Sequence, residues 1–122
     1  MARVLVADDA SFMRQMIREI IEAEGHEVVG EASDGDEVVE EFKRLHPDVV
    51  TMDIVMPRRS GIDAVKSIIQ IDGKARIVMC SALGQESLVN EAMEAGACDF
   101  IVKPFKPDAV IATLGKVLEK SE

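Results

Sequence analysis

One carboxylate in this sequence stands where a carboxylate is least expected. Asp53 closes the apolar run Val49–Asp53, and Pro57 stops the apolar residues that follow. Aspartate is depleted in strands and is rarely fully buried unless it is paired. We therefore expect Asp53 to lie at the end of a buried strand and to face a cleft, where its carboxylate is the centre of the chemistry.

Other polar side chains follow the neighbouring predicted strands. Asp8 and Asp9 come after the first strand, Ser81 after the fourth and Lys103 after the fifth. Parallel strands share one carboxyl edge, where ligands bind, so these residues should gather around Asp53. Clustered carboxylates repel one another unless a cation joins them. Mg²⁺ is suited to the site because it takes oxygen ligands and often needs only one or two carboxylates plus a phosphate oxygen.

Together these groups indicate transfer of a phosphoryl group to a carboxylate. Asp53 would be the nucleophile and the product an aspartyl phosphate. Lys103 would supply a fixed positive charge and Ser81 one hydrogen bond, since phosphoryl transfer depends mostly on positioning and neutralisation. Taken singly, Asp8 could be a helix cap and Lys103 a solvated lysine, so the prediction depends on the joint pattern.

Five alternations of strand and helix are predicted to position these residues. The predicted strands are Arg3–Ala7, Glu27–Ala32, Val49–Asp53, Arg76–Cys80 and Asp99–Val102. The first, third and fourth are continuously apolar, as in a parallel sheet covered on both faces, and right-handed crossovers put helices on both sides. Ser11 should cap the first helix, the last helix should begin near Pro107, and residues 119–122 should fray.

Composition narrows the possible functions of the chain. Its 122 residues and net charge of −9 indicate one acidic domain and argue against a nucleic-acid-binding surface. There is no apolar run of membrane-spanning length and no visible export signal, so we expect a cytoplasmic protein. Cys80 and Cys98 do not make a disulfide framework. His26 and His46 are expected to be solvated surface residues.

These motifs resemble the receiver domain of two-component response regulators. The resemblance covers residues 1–122, and within the family the chain is most similar to the stand-alone chemotaxis regulators. It implies a single (βα)5 flavodoxin-like α/β domain, with a five-stranded parallel sheet of order 2-1-3-4-5 and helices on both faces. The motifs that carry it are Asp8-Asp9, Asp53, Met56-Pro57 with Gly61, Ser81-Ala82, and Lys103-Pro104-Phe105.

The resemblance also implies how the metal is held. Asp53 would be the phosphorylation site, and Asp9 and Asp53 would bind Mg²⁺ directly. Asp8 would act largely through water, and the backbone carbonyl of Val55 would be a third protein ligand. Lys103 would pair with the phosphoryl group. The Lys103–Pro104 peptide bond is expected to be cis.

A conformational switch is implied as well. Ser81 would swing to hydrogen-bond a phosphoryl oxygen, and Phe100 would turn inward to fill the space that Ser81 leaves. Phe100 stands where many chemotaxis members have tyrosine, so it offers a partner no hydroxyl. Val55 and Leu83 are apolar where the family tunes the access of attacking water, which predicts slow self-dephosphorylation. The loop arginines Arg58-Arg59 could be solvated or could dock a partner.

The function implied by the resemblance is a phosphorylation-dependent switch in chemotaxis. It would take a phosphoryl group from a histidine kinase of the CheA type and change its affinity for a motor-switch protein or an adaptor. A phosphatase is a further expected partner, and the protein would be a monomer. The chain would catalyse only its own phosphorylation and dephosphorylation.

Three alternatives are weaker on the sequence. A phosphatase of the haloacid dehalogenase type would have its nucleophile after the first strand in an Asp-x-Asp pattern, whereas the chain has Asp8-Asp9-Ala10-Ser11. A nucleotide-binding module would need a glycine-rich loop after the first strand, and none is present. The chain could also be the excised receiver of a larger methylesterase or transcription factor.

Overall fold

The central strand of the sheet is β3, which runs from Val49 to Asp53. The computed structural model describes residues 1–119. Its other elements are β1 (Arg3–Ala7), α1 (Ser11–Ala23), β2 (Glu27–Ala32), α2 (Gly35–Leu45), α3 (Gly61–Ile71), β4 (Ile77–Ser81), α4 (Glu86–Ala95), β5 (Asp99–Val102) and α5 (Pro107–Glu119). All strand pairs are parallel, and the strand order β2-β1-β3-β4-β5 confirms the predicted topology.

Two element predictions differ from the structure. Strand β4 begins and ends one residue later than predicted, because its pairing with β3 runs from Ile77 to Cys80 and Ser81 still pairs with β5. Ser11 is not the cap of α1, so that prediction is wrong. The N-cap is Ala10, whose backbone N–H donates to the Asp8 carboxylate at 2.9 Å. Fraying is predicted for residues 119–122; Glu119 is the last residue of α5, and residues 120–122 lie outside the described residues.

Apolar packing on both faces of the sheet fixes the strands. One face packs against α2, α3 and α4, and the other against α1 and α5. Every residue of β3 and of β4 is buried, as their continuously apolar patterns predict, whereas the edge strand β2 is only partly covered. The ends of the central strands are therefore held rigidly, and so are the side chains that follow them.

The histidines precede β2 and β3, at the opposite edge of the sheet from Asp53, whereas Cys80 on β4 pairs directly with Asp53. His46 is exposed at the end of α2, as expected. His26 is partly buried and its Nδ1 accepts a hydrogen bond from the Ala2 N–H at 2.9 Å, so it is not a simple solvated residue. Cys80 and Cys98 are free thiols. Across residues 1–119, every helix is too short or too polar to span a membrane.

Gly61 allows the loop after β3 to fold back onto the strand. Its N–H donates to the Ile54 carbonyl at 2.8 Å. A Cβ at this position would overlap the Asp53 carbonyl oxygen and would lie only 2.8 Å from the Ile54 carbonyl oxygen. These neighbours are backbone atoms that cannot rotate away, so only glycine is accommodated next to the end of β3.

Replacing Gly61 with alanine should therefore destabilise the protein. We expect Gly61→Ala to lower the free energy of unfolding by about 1–3 kcal/mol, the usual range for overpacking, measured by urea denaturation. Gly115→Ala is the matched control, because a Cβ there would meet nothing within 4 Å and alanine is the better helix former by roughly 0.5–1 kcal/mol. Equal stability of Gly61→Ala and the wild type would contradict this prediction.

Candidate functional site

The predicted site residues lie together at the carboxyl edge of the sheet. Asp53 ends β3 and Ser81 ends β4, whereas Asp8 and Asp9 follow β1 and Lys103 follows β5. These four strands are neighbours in the sheet, in the order β1-β3-β4-β5. Asp8, Asp53 and Ser81 are all buried, with 3%, 8% and 3% of their surfaces exposed. Burial of carboxylates at this level requires partners, because an unpaired buried charge is strongly unfavourable.

Lys103 is the partner of both buried carboxylates. Its Nζ lies 2.8 Å from Asp8 Oδ2 and 3.3 Å from Asp53 Oδ2. The Lys103–Pro104 peptide bond is cis, as predicted. The Lys103 N–H donates to the Ser81 carbonyl at 2.7 Å, which holds the backbone of Lys103 in place. The ammonium group therefore bridges the ends of β1 and β3 from the loop after β5.

Asp8, Asp9 and Asp53 form the acidic cluster. One carboxylate oxygen of each lies within 4.8 Å of the others. Both oxygens of Asp8 already accept hydrogen bonds, one from the Ala10 N–H and one from Lys103. The exposed Asp9 carboxylate takes part in no hydrogen bond or ion pair within residues 1–119. The cluster offers hard oxygen donors, the set that a small divalent cation prefers.

The electrostatics of the site reflect this crowding. Burial raises the pKa of Asp53 above its ordinary value; Lys103 opposes the rise, whereas the charges of Asp8 and Asp9 add to it. Burial disfavours the charged form of Lys103, but its hydrogen bond to Asp8 and the attraction of Asp53 outweigh that and raise the pKa of Lys103. The lysine is thus held as a cation, and the cluster retains excess negative charge.

Several carbonyls of the loop after β3, Val55 among them, accept no backbone hydrogen bond from the described residues. The Ile54 and Pro57 carbonyls accept backbone hydrogen bonds from Gly61 and Arg59, both at 2.8 Å. The position of the Val55 carbonyl, two residues beyond Asp53, is compatible with the ligand role that the family resemblance implies.

The loop arginines contact helix α2 rather than solvent alone. Arg59 Nε lies 3.0 Å from Asp36 Oδ1, and its Nη1 donates to Ser67 Oγ at 2.7 Å. Arg58 is largely exposed and lies 3.4 Å from Asp34 Oδ2. Of the two sequence interpretations, a simple solvated role does not describe Arg59, which ties the β3–α3 loop to α2 and α3.

A cavity separates the two expected switch residues. It has a volume of about 170 Å³ and is lined by Ser81, Val89 and Phe100, among other residues. Phe100 is 41% exposed and Leu83 is 84% exposed, so both side chains lie at the surface. The arrangement provides space beside Ser81 that an aromatic ring could enter.

Two residues that shape the site were missed by sequence reasoning. Arg14 Nη1 donates to the Asp8 carbonyl at 2.6 Å, directly behind the acidic cluster. Gln85 Oε1 accepts from the Ala82 N–H at 2.7 Å and so shapes the loop after β4. The Arg14 contact has no local sequence signal, because it depends on how α1 packs against the end of β1, whereas the Gln85 contact joins residues only three apart.

Comparison with known proteins identifies the family. The model of the response regulator receiver domain matches residues 4–115. The chain is 57% identical to the chemotaxis protein CheY of Thermotoga maritima over 115 residues, covering 94% of this chain and 96% of that protein. It is 55% identical to the chemotaxis protein CheY of Bacillus subtilis, covering 95% and 97%. The crystal structure of the receiver domain of NtrX from Brucella abortus superposes with a TM-score of 0.91 at 32% identity, covering 97% and 99%.

The raised pKa of Asp53 predicts a measurable effect on stability. Without divalent cations, Asp53→Asn should raise the free energy of unfolding at pH 7, because the amide has the size of the carboxylate but not its buried charge. The folded pKa lies above the unfolded pKa, so the wild type loses stability as pH rises through that interval, and the advantage of the variant disappears below it. Urea denaturation in EDTA at several pH values measures the difference.

The exposed Glu94 of α4 provides the control for this comparison, since Glu94→Gln removes one negative charge away from the cluster. It should leave the pH dependence unchanged. An Asp53→Asn variant that is less stable than the wild type at pH 7 would contradict the assigned electrostatics.

Proposed function

Because the chain belongs to the receiver-domain family of response regulators, we propose that Asp53 is the residue that accepts the phosphoryl group. The chain is a phosphorylation-dependent chemotaxis regulator by its similarity to the CheY proteins, and a receiver domain is not an enzyme in the usual sense. The alternative of a larger methylesterase or transcription factor is not favoured. The observation that carries the proposal is the contact of Lys103 Nζ with Asp53, 3.3 Å from its Oδ2, beside two further carboxylates.

The proposed reaction is transfer from a phosphohistidine to Asp53. A carboxylate oxygen of Asp53 forms the new P–O bond, the P–N bond to the imidazole breaks, and the leaving nitrogen takes up a proton. Lys103 neutralises negative charge on the transferring oxygens and, afterwards, on the aspartyl phosphate. The buried position of Asp53 limits access of water to the nucleophile.

Receiver domains bind Mg²⁺ at an acidic pocket, and the acidic cluster is suited to that ion. We assign Asp9, Asp53 and the Val55 carbonyl as its direct ligands, with Asp8 acting largely through water. Two observations support the assignment: the Asp9 carboxylate has no protein partner among the described residues, whereas both oxygens of Asp8 are engaged. Bound Mg²⁺ would supply charge stabilisation to the transferring phosphoryl group.

The proposed output is a change at the surface of α4, β5 and α5. When Ser81 turns to a phosphoryl oxygen, Phe100 moves into the cavity between them. That surface carries the exposed side chains of Phe100 and Val102, 41% and 42% exposed, and Leu83 lies at its edge. Coupling the added charge of a phosphoryl group to a change in side-chain packing is a common form of switch.

A receiver domain implies a histidine kinase and a downstream target. The finer assignment that we propose is a CheA-type kinase, a motor-switch or adaptor protein as target, and a phosphatase, all acting on a cytoplasmic monomer. The net charge of −9 favours basic surfaces on such partners over nucleic acid. Slow self-dephosphorylation, expected from the apolar Val55 and Leu83, stays a prediction.

Phosphorylation by a small-molecule donor tests the assignment of Asp53. With acetyl phosphate and Mg²⁺, the wild type should gain one phosphoryl group, detected by intact-mass spectrometry. Asp53→Asn should gain none, because the amide is not a nucleophile, and its circular dichroism should remain that of the wild type.

Glu94→Gln, which loses a carboxylate far from the acidic cluster, is the matched control and should be phosphorylated at the wild-type rate. Incorporation into Asp53→Asn at the wild-type rate would show that another residue accepts the phosphoryl group.

A further inference from the structure

We propose that Arg14 is a positioning residue for the acidic cluster, acting through the backbone carbonyl of Asp8. The inference rests on the proposed function, since it concerns how the cluster is held ready for Mg²⁺ and the phosphoryl group. Arg14 touches none of the carboxylates of the cluster in the described contacts. Its effect would pass through the peptide that joins Asp8 to Asp9.

Arg14 links helix α1 to the ends of two strands. Its Nη1 donates to the Asp8 carbonyl at 2.6 Å, just beyond β1, and its Nε donates to Glu31 Oε1 at 2.8 Å on β2. The side chain is only 18% exposed. A guanidinium is planar and holds its donors in a fixed fork, so two such bonds determine its orientation.

Glu31 is itself anchored from its other oxygen. Arg18 Nη1 lies 2.6 Å from Glu31 Oε2, and Arg18 also pairs with Glu22. Burial opposes the charged form of Glu31, but the hydrogen bonds from Arg14 and Arg18 outweigh it and hold the pKa of Glu31 below its ordinary value. Glu31 therefore stays ionised at neutral pH and keeps the Arg14 guanidinium in place.

The position of the Asp8 carbonyl affects the geometry of the acidic cluster. Every other polar group of Asp8 is also engaged: its N–H donates to the Ala32 carbonyl at 3.0 Å, and its carboxylate accepts from Ala10 and Lys103. The carbonyl lies in the same rigid peptide plane as the Asp9 nitrogen. Fixing the carbonyl consequently fixes the direction of the Asp9 backbone, and Asp9 is the cluster member without a side-chain partner of its own.

Positioning and simple electrostatics predict opposite effects for the loss of Arg14. A guanidinium close to the cluster repels a divalent cation, so removal of its charge alone would tighten Mg²⁺ binding. If Arg14 instead orients the Asp8–Asp9 peptide, its removal should weaken Mg²⁺ binding despite the lost repulsion. Outer-shell partners of metal ligands typically change affinity by about 10–100-fold.

The experiment is a ¹H–¹⁵N NMR titration with Mg²⁺ on the full chain. We expect Arg14→Gln to raise the Mg²⁺ dissociation constant about 10-fold, within the range found for outer-shell residues. Arg14→Lys, which keeps the charge but not the fork, should also bind more weakly than the wild type. Arg18→Gln is the matched control, because it removes the same charge and a Glu31 contact but leaves the Asp8 carbonyl bond. Because Arg18 also holds Glu31, its loss should weaken Mg²⁺ binding, but by less than Arg14→Gln does.

The outcomes separate this proposal from the one on which it rests. Unchanged or tighter binding by Arg14→Gln, or equal weakening by Arg18→Gln, would overturn the positioning role alone. Mg²⁺ binding by Arg14→Lys as tight as that by the wild type would also overturn the positioning role, because a positive charge alone would then be enough for binding. A wild type that shows no Mg²⁺ binding at Asp9 and Asp53 would overturn both proposals, and phosphorylation of Asp53→Asn would overturn the phosphoacceptor assignment without affecting the Arg14 result.

Discussion

The contact of the Lys103 ammonium with two buried carboxylates is the interaction on which the site depends. Asp8 and Asp53 lie at the ends of two neighbouring strands, with 3% and 8% of their surfaces exposed. Without a cation between them, their charges would be both desolvated and mutually repulsive. Lys103 reaches both, at 2.8 and 3.3 Å, because its own N–H is bonded to the end of β4. One lysine thereby joins the ends of β1, β3 and β4.

The fold makes this arrangement rigid. Burial of the central strands on both faces fixes the backbone that carries Asp53, and Gly61 lets the following loop pack directly against it. The acidic cluster is nevertheless left with more negative charge than one lysine balances. Burial above all, and then that imbalance, disfavours the ionised Asp53 in the metal-free protein. The excess negative charge also favours a divalent cation at this edge, and the cation together with Lys103 can then balance the charge of a phosphoryl group.

Much of the fold and of the candidate site could be predicted from the sequence for a simple physical reason. Continuous apolar runs ended by polar residues located β1 and β3, and the shared carboxyl edge of parallel strands then brought Asp53 and Lys103 together. The contacts of Arg14 and Arg59 could not be predicted, because a long side chain can reach partners on several elements and only packing selects one. The cap of α1 was also mispredicted, since the Asp8 carboxylate bonds to Ala10 and starts the helix before Ser11 can act as cap.

The Mg²⁺ dependence of urea unfolding in Lys103→Met tests the central role of the lysine most directly, with the exposed Lys106→Met as control. Removal of one partner from a buried charge pair should lower the metal-free free energy of unfolding by about 3 kcal/mol. Mg²⁺ should then stabilise Lys103→Met more than it stabilises the wild type, because the cluster has lost its competing cation. If Lys103→Met instead has the same metal-free stability as the wild type and is stabilised by Mg²⁺ to the same extent, the central role of the lysine is contradicted.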